Sequence, residues 1–168
     1  MRYLLILLLL SGVVSGREPN TRTPGETAIV RAETAIAKDP NNARAYCALA
    51  MAHAKRARET AEPEQYRLGL KAVERSLELE PENYEARRSR VWLLLGQHEF
   101  AKALEQAREL NKTAKDDILV YGFLADANVE LGNYDEAETA AQWMLDLRPG
   151  NVAGLTRGAY LREIYGDL

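Results

Sequence analysis

The chain has 168 residues, 46% hydrophobic and 28% charged, which are ordinary values for one globular domain or a short repeat array. Its formal net charge of −3 argues against a nucleic-acid partner, because such a partner normally requires a basic face. The single cysteine, Cys47, excludes an intrachain disulfide, and two distant histidines, His53 and His98, are too few for a structural zinc site. We therefore expect no metal and no cofactor.

The N-terminal segment has the pattern of a secretory signal peptide. A basic Arg2 precedes an almost unbroken Leu/Ile run over residues 3–10, and small or modest residues follow up to Gly16. The apolar run is shorter than the roughly twenty residues that a transmembrane helix needs. We expect cleavage after Gly16, a polar linker over 17–22, and an exported protein, periplasmic or secreted. The alternative is that residues 1–16 remain as an uncleaved membrane anchor.

Start and stop signals divide the remainder into helices. Thr23, Pro24 and Glu26 have the pattern of a capping box with proline in the first helical turn. Proline followed closely by asparagine then recurs three times, and there the proline ends one helix while the asparagine caps the next. These stops lie at residues 39–42, 80–83 and 148–151, and weaker turns lie at 62–63, 96–97 and 132–133. The breaks predict eight helices, at residues 26–38, 43–59, 63–79, 84–95, 98–111, 117–131, 134–147 and 151–165.

Residues 118–151 carry a regular pattern of large, small and turn residues. Large and small side chains share one face of the first helix, a glycine and a tyrosine mark the turn, small or apolar side chains face inward on the second helix, and a proline closes the unit. In order, these are Tyr121, Leu124, Ala125, Gly132, Tyr134, Ala137, Ala141, Met144 and Pro149. Ala125 and Ala137 must be small where the two helices approach closely, whereas Tyr121 and Tyr134 are expected to fill wider gaps.

This spacing resembles the tetratricopeptide repeat, a helix pair that buries its apolar face by stacking on its neighbours. The resemblance implies an all-α fold, a right-handed superhelical array of antiparallel helix pairs (an α-solenoid) over residues 23–168.

The other units match this pattern less closely. The unit at 43–83 has a longer middle turn, residues 26–42 resemble a half unit, and 152–168 resemble an incomplete one. In the unit at 84–117, arginines replace apolar residues, the glycine comes two positions early, and a lysine replaces the closing proline. The residues concerned are Arg87, Arg90, Gly96 and Lys115. Such departures often mark functional positions, so we expect the first helix of this unit to be rotated or adapted for a ligand.

No catalytic signature is present. The sequence has no glycine-rich phosphate loop, no His-Glu-x-x-His pair and no Gly-x-Ser-x-Gly. The carboxylates Asp116 and Asp117 lie at a predicted helix start, where acidic residues complement the helix dipole. The arginine side chains of the basic cluster at 87–90 cannot all lie on one face of a helix. The cluster is more typical of a solvated surface than of a phosphate or acidic-peptide contact. We therefore expect no enzymatic activity from this chain.

In proteins of the family that the chain resembles, the first helix of each pair lines a concave groove that holds an extended peptide or a partner helix. In this register the groove candidates are Arg44, Met51, Arg88, Trp92, Leu95, Asp126, Val129 and Tyr160. The alternative for Trp92 is that it packs between neighbouring repeats. The Lys and Asn residues with which the family's chaperone-tail binders hold a peptide carboxylate are absent at these positions. The resemblance thus implies an exported scaffold that binds another protein or a peptide. The alternatives are a substrate-recruiting or regulatory arm of a larger enzyme, and a membrane-tethered assembly factor.

The last predicted helix is apolar on more than one side, whereas terminal helices of repeat arrays normally carry a polar outer face. The apolar residues are Val152, Leu155 and Ala159 on one side and Leu161, Ile164 and Leu168 on others. We therefore expect a fragment whose array continues past Leu168 and whose apolar end is exposed.

Overall fold

The structure is a computed structural model that describes residues 22–166, and within them every regular element is an α-helix. The helices are α1 (Pro24–Lys38), α2 (Ala43–Thr60), α3 (Pro63–Leu79), α4 (Tyr84–Gly96), α5 (Phe100–Thr113), α6 (Ile118–Glu130), α7 (Tyr134–Leu147) and α8 (Val152–Tyr165). The all-α fold and the eight predicted helices are confirmed, and each predicted bound is correct to within two residues. The predicted signal peptide, and the linker up to residue 21, lie outside the described residues.

Side-chain caps explain where several helices begin. At the start of α1, the Thr23 hydroxyl accepts from the Glu26 amide and the Glu26 carboxylate accepts from the Thr23 amide, which is the predicted capping box. Asparagine side chains cap α2, α4 and α8 by accepting from a backbone amide three residues later. These are Asn42, Asn83 and Asn151. Each satisfies one amide that the first helical turn leaves unpaired.

The helices form two layers. Each helix packs against the next one along the chain, and the even-numbered helices also touch one another: α2 with α4, α4 with α6, and α6 with α8. The odd-numbered helices of the described region make no such contacts with one another. Because the array is tight on the even side and splayed on the odd side, it curves toward the even helices. The even helices therefore line the concave face, and the odd helices form the outer face.

The core between the layers is built largely from alanine. Ala50, Ala86, Ala103, Ala125 and Ala137 are all 0% exposed. Short side chains let neighbouring helices approach closely, so the requirement for small residues at Ala125 and Ala137 is confirmed.

Tyr134 does not fill a gap in this core, contrary to the prediction. Its side chain is 37% exposed and packs edge-on against Tyr165 of α8, with ring centroids 6.4 Å apart. Tyr134 is the first residue of α7, so its ring lies over the end of the helix pair and not between the helices. Tyr121, in contrast, is 7% exposed and fills its gap as predicted.

The turn between α4 and α5 explains the early glycine of that unit. Gly132 ends α6 with a φ of +77°, and the residue 34 positions earlier is His98, which adopts a φ of +61°. The turn between α4 and α5 therefore keeps the left-handed backbone conformation, but a histidine adopts it in place of a glycine. Gly96 meets a different need: a Cβ there would lie 2.3 Å from Cε1 of Tyr66 on α3. Gly96 is thus a packing residue, and the sequence-based reading of it as a displaced turn glycine is wrong.

Candidate binding groove

Two adjoining depressions lie on the concave face. One, of about 440 Å³, lies over α4 and α6, and the other, of about 390 Å³, lies over α6 and α8. Asp126, Glu130 and Arg157 line both, so they form one continuous groove. The structure brings five of the eight groove candidates to this groove. They are Trp92, Leu95, Asp126, Val129 and Tyr160.

The first depression contains an apolar cup formed by Trp92, Leu95, Leu119 and Phe123. The Trp92 and Phe123 rings are tilted at 47° with centroids 6.5 Å apart, so the tryptophan packs across the junction between two repeats. Leu119 is 49% exposed on the rim. An exposed leucine beside half-buried apolar side chains in a concavity favours an apolar or aromatic ligand group.

Sequence analysis missed Leu119 and Phe123, although a signal for them existed. Together with Asp126 and Glu130 they follow the i, i+4, i+7, i+11 spacing of one face of α6. Because α6 is apolar nearly all round, that face does not stand out as a stripe in the sequence. Only the packing of α4 and α8 beside α6 shows that this face of α6 lines the groove.

Asp126 is not a free carboxylate in the groove floor. Arg157 of α8 donates from Nε to Oδ1 at 2.7 Å and from its terminal nitrogen to Oδ2 at 2.5 Å. A bidentate pair of this kind fixes geometry as well as charge. The pair joins α6 to α8 and supplies a flat polar surface between the apolar cup and Tyr160.

Arg88 is also engaged within the protein. Its guanidinium donates to Asp117 at 2.8 Å and to Glu85 at 2.5 Å, and it lies beside the Tyr84 ring. The Tyr84 hydroxyl donates to the same Asp117 carboxylate at 2.8 Å. Burial alone would raise the pKa of Asp117, but the hydrogen bonds from Arg88 and Tyr84 outweigh burial and hold it below its usual value. Burial is the main cause that raises the pKa of Tyr84, and its hydrogen bond to Asp117 raises the pKa further.

Arg44 and Met51 lie on α2, outside both depressions. Arg44 is exposed and Met51 is half-buried. They extend the concave face beyond the apolar cup, and Arg58 of the same helix bridges the two parts, with its guanidinium carbon 4.8 Å from the centroid of the Trp92 ring.

The arginines that replace apolar residues in α4 face away from the groove. Arg87 and Arg90 line an outer notch of about 520 Å³ between α3 and α5. Arg90 donates to Gln106 at 2.7 Å, and Arg87 donates to Glu82 and to the carbonyl of Pro81. These arginines therefore do not rotate α4, and Trp92 keeps its place on the concave face.

A cavity of about 610 Å³ lies in the equivalent notch between α5 and α7, and sequence analysis did not anticipate it. Its wall includes Trp143, 48% exposed, which stacks on Tyr121 with ring centroids 5.9 Å apart. Basic and acidic side chains line opposite sides, Arg108 and Lys115 facing Asp135 and Glu136. The notch exists because the outer helices do not touch.

Reactive chemistry is not evident in the described part of the chain. Residues 22–166 hold no group of three or more His, Cys, Asp or Glu arranged to bind a metal ion. Burial raises the pKa of the Cys47 thiol, which disfavours the nucleophilic thiolate. Over the same residues, no helix combines the length and hydropathy that crossing a membrane demands.

No protein-family model and no curated protein sequence matches the chain. Solved structures do match it. MamA from Desulfovibrio magneticus RS-1 superimposes with a TM-score of 0.71 at 17% identity, over 85% of this chain and 77% of that one. A thermophilic TPR (tetratricopeptide repeat) protein from Thermus thermophilus superimposes with a TM-score of 0.70 at 18% identity, over 82% of this chain and 72% of that one.

The fold is that of the tetratricopeptide repeat proteins. A further structure of this fold, YrrB, is described as a TPR protein with an unusual peptide-binding site. It matches with a TM-score of 0.63 at 16% identity, over 85% of this chain and 70% of YrrB. At these identities the likeness concerns the fold, and the ligand must be inferred from the residues of this chain.

Proposed function

We propose that the chain is an exported, non-catalytic scaffold that binds a peptide segment or a partner helix in its concave groove. The observation that carries the proposal is the apolar cup around Trp92, where Leu119 is 49% exposed and Trp92 is half-buried between two repeats. Export is supported by the signal-peptide pattern at residues 1–16, which predicts a periplasmic or secreted protein.

The groove has the composition of a protein interface. An aromatic anchor, Trp92, lies among aliphatic and aromatic neighbours, and polar groups such as the Asp126–Arg157 pair surround it. Interfaces concentrate binding energy in such central aromatic residues and keep polar groups at the rim. The peptide-binding site in the description of YrrB is consistent with this use of the fold.

The experiment compares two tryptophans that differ in location. Partners are captured from the envelope or culture fluid with the full chain, identified by mass spectrometry, and their affinities are then measured. We expect Trp92→Ala to weaken binding by about 2 kcal/mol or more, the scale of an interface hot spot. Trp143→Ala, on the outer face, should leave affinity unchanged.

Chemical denaturation of the same variants separates binding from folding. Loss of a wholly buried tryptophan costs about 3–5 kcal/mol of stability. Unchanged affinity of folded Trp92→Ala would reject the groove as the binding site. A full-length chain recovered only from membranes, with residues 1–16 intact, would reject export as a free protein.

A further inference from the structure

The exposed face of α2 is strongly basic. Arg44, Ala48, Met51, Lys55 and Arg58 share that face at helical spacing, and all three of its cations are exposed. Within residues 22–166, none of these three cations forms an ion pair. From Arg44 to Arg58 the stripe extends about 21 Å along the concave side, at about 1.5 Å per residue.

The acids nearest this stripe are already engaged. The Glu59 carboxylate accepts from the Thr23 hydroxyl at 2.6 Å and from the Gly25 amide at 2.9 Å, beside Arg56. Glu85 of α4 pairs with Arg88. Lys55 lies within electrostatic reach of Glu59 without pairing with it, and Arg44 and Arg58 have no ion-pair partner among the described residues. The stripe therefore keeps a net positive charge on the groove side.

The basic stripe is continuous with the apolar cup, and the charge reverses beyond it. Arg58 lies over the Trp92 ring, so the stripe ends where the cup begins. On the far side of the cup Arg157 neutralises Asp126, and Glu130 adds a carboxylate between the two depressions. The concave face thus runs from positive at α2, through apolar, to weakly negative at α6.

We propose that this face selects an acidic peptide segment of a partner protein, whose carboxylates lie along α2 and whose neighbouring aromatic or large aliphatic residue enters the cup. The inference rests on the groove function proposed above and adds the class of ligand and its direction. The charge gradient orients the segment, because the reversed peptide would place its carboxylates beside Glu130.

The length of the stripe favours an internal segment over a chain terminus. At about 3.3 Å per extended residue, 21 Å corresponds to roughly six peptide residues. Several side-chain carboxylates, and not one terminal carboxylate, therefore match the three cations. The apolar cup at the end of the stripe fits a side chain of a peptide better than the uniform phosphate backbone of a nucleic acid.

The test uses peptides acetylated at the N-terminus and amidated at the C-terminus, so that terminal charges play no part. One carries consecutive glutamates followed by phenylalanine and leucine, and matched peptides carry glutamine or lysine in place of glutamate. Fluorescence anisotropy measures their affinities for the full chain. The variant Arg44→Ala/Lys55→Ala/Arg58→Ala removes the stripe, and Arg31→Ala/Lys71→Ala/Arg108→Ala removes the same charge from the outer helices.

We expect the glutamate peptide to bind more tightly than the other two, with an affinity that falls as salt rises. The stripe variant should weaken it about tenfold, and the outer variant less than about twofold. Equal affinity for the glutamate and lysine peptides, or equal loss in both triple variants, would overturn the inference. So would displacement of the peptide by a single-stranded oligonucleotide at the same concentration.

The two proposals fail in different ways. If all three peptides bind alike and Trp92→Ala abolishes their binding, the groove function stands and the preference for acid is wrong. If no peptide binds to the folded chain, whatever its charge, the groove function itself fails.

Discussion

At two glycines where an added side chain would meet no other atom, backbone conformation alone decides whether alanine stabilises or destabilises the protein. Gly132 has a φ of +77°, whereas Gly158 lies inside α8, and a Cβ at either would meet nothing within 4 Å. We expect Gly132→Ala to lower the free energy of unfolding by about 1 kcal/mol, because an L side chain strains the left-handed conformation. Gly158→Ala should raise it by about 0.5–1 kcal/mol, because glycine weakens a helix interior. Urea unfolding measures both, and changes of the same sign would contradict the assignment.

Asp117 gives the protein a pH-dependent contact between repeats. Its carboxylate caps α6 and accepts from Arg88 and Tyr84 of α4, which keeps its folded pKa below the usual value. The unfolded chain therefore takes up this proton at a higher pH than the folded protein does. The stabilisation is complete above about pH 5 and is lost as pH falls through the folded pKa.

We expect Asp117→Asn to cost about 1–3 kcal/mol at neutral pH, because Arg88 is left without its half-buried partner. The variant should also lose less stability than the original chain between about pH 5 and pH 2. Asp116→Asn, at the exposed neighbouring position, is the control and should change little. Denaturation curves across this pH range provide the measurement. If the free energy of unfolding falls equally with pH for the original chain and the Asp117 variant, another group is responsible.

At the scale of helices, local signals predicted the elements well because they act over a few residues. The Thr23 capping box and the asparagine caps each need only a partner three positions away. Contacts between elements were harder to predict. The partners Asp126 and Arg157 are 31 residues apart, and nothing in either helix alone indicates the pair.

The contact that was hardest to predict is the one that sets which face of α4 meets the groove. Arg87 and Arg90 suggested from sequence that this helix was rotated or adapted for a ligand. In the structure both lie in an outer notch, where Arg90 hydrogen-bonds Gln106 of α5. Long arginine side chains fill space that other repeats fill with apolar residues, and they keep their charged ends in solvent. The helix packing is therefore retained although the residue pattern is not.

The solvent-exposed face of α8 carries the most exposed large apolar side chains among the described helices. Val152 is 76% exposed and Leu155 is 53% exposed. We expect the chain to self-associate through this face, and Val152→Lys/Leu155→Lys to shift it toward monomer without loss of stability. Leu161→Ala, at a position 2% exposed, should instead cost about 2–5 kcal/mol. Sedimentation measures the association, and an original chain that stays monomeric at high concentration would contradict the first expectation.

The molecule as a whole is held together by contacts between near neighbours in sequence. No described helix touches one more than two places away, α1 touches only α2, and α8 touches only α6 and α7. In such an array local stability depends on the number of neighbouring repeats. We expect backbone amides of α4 and α6 to exchange with solvent most slowly and those of α1 and α8 fastest. Exchange followed by mass spectrometry tests this, and uniform protection across the helices would indicate a single cooperative unit.

The same neighbour-only packing has a consequence for synthesis. Since α1, α2 and α3 need nothing beyond α4 to complete their contacts, the first part of the chain can acquire its native packing while the last part is still being made. Each arriving helix then finds a finished surface to dock on. Folding can in this way proceed in one direction at the pace of the emerging chain, and the first helices need not wait for the last.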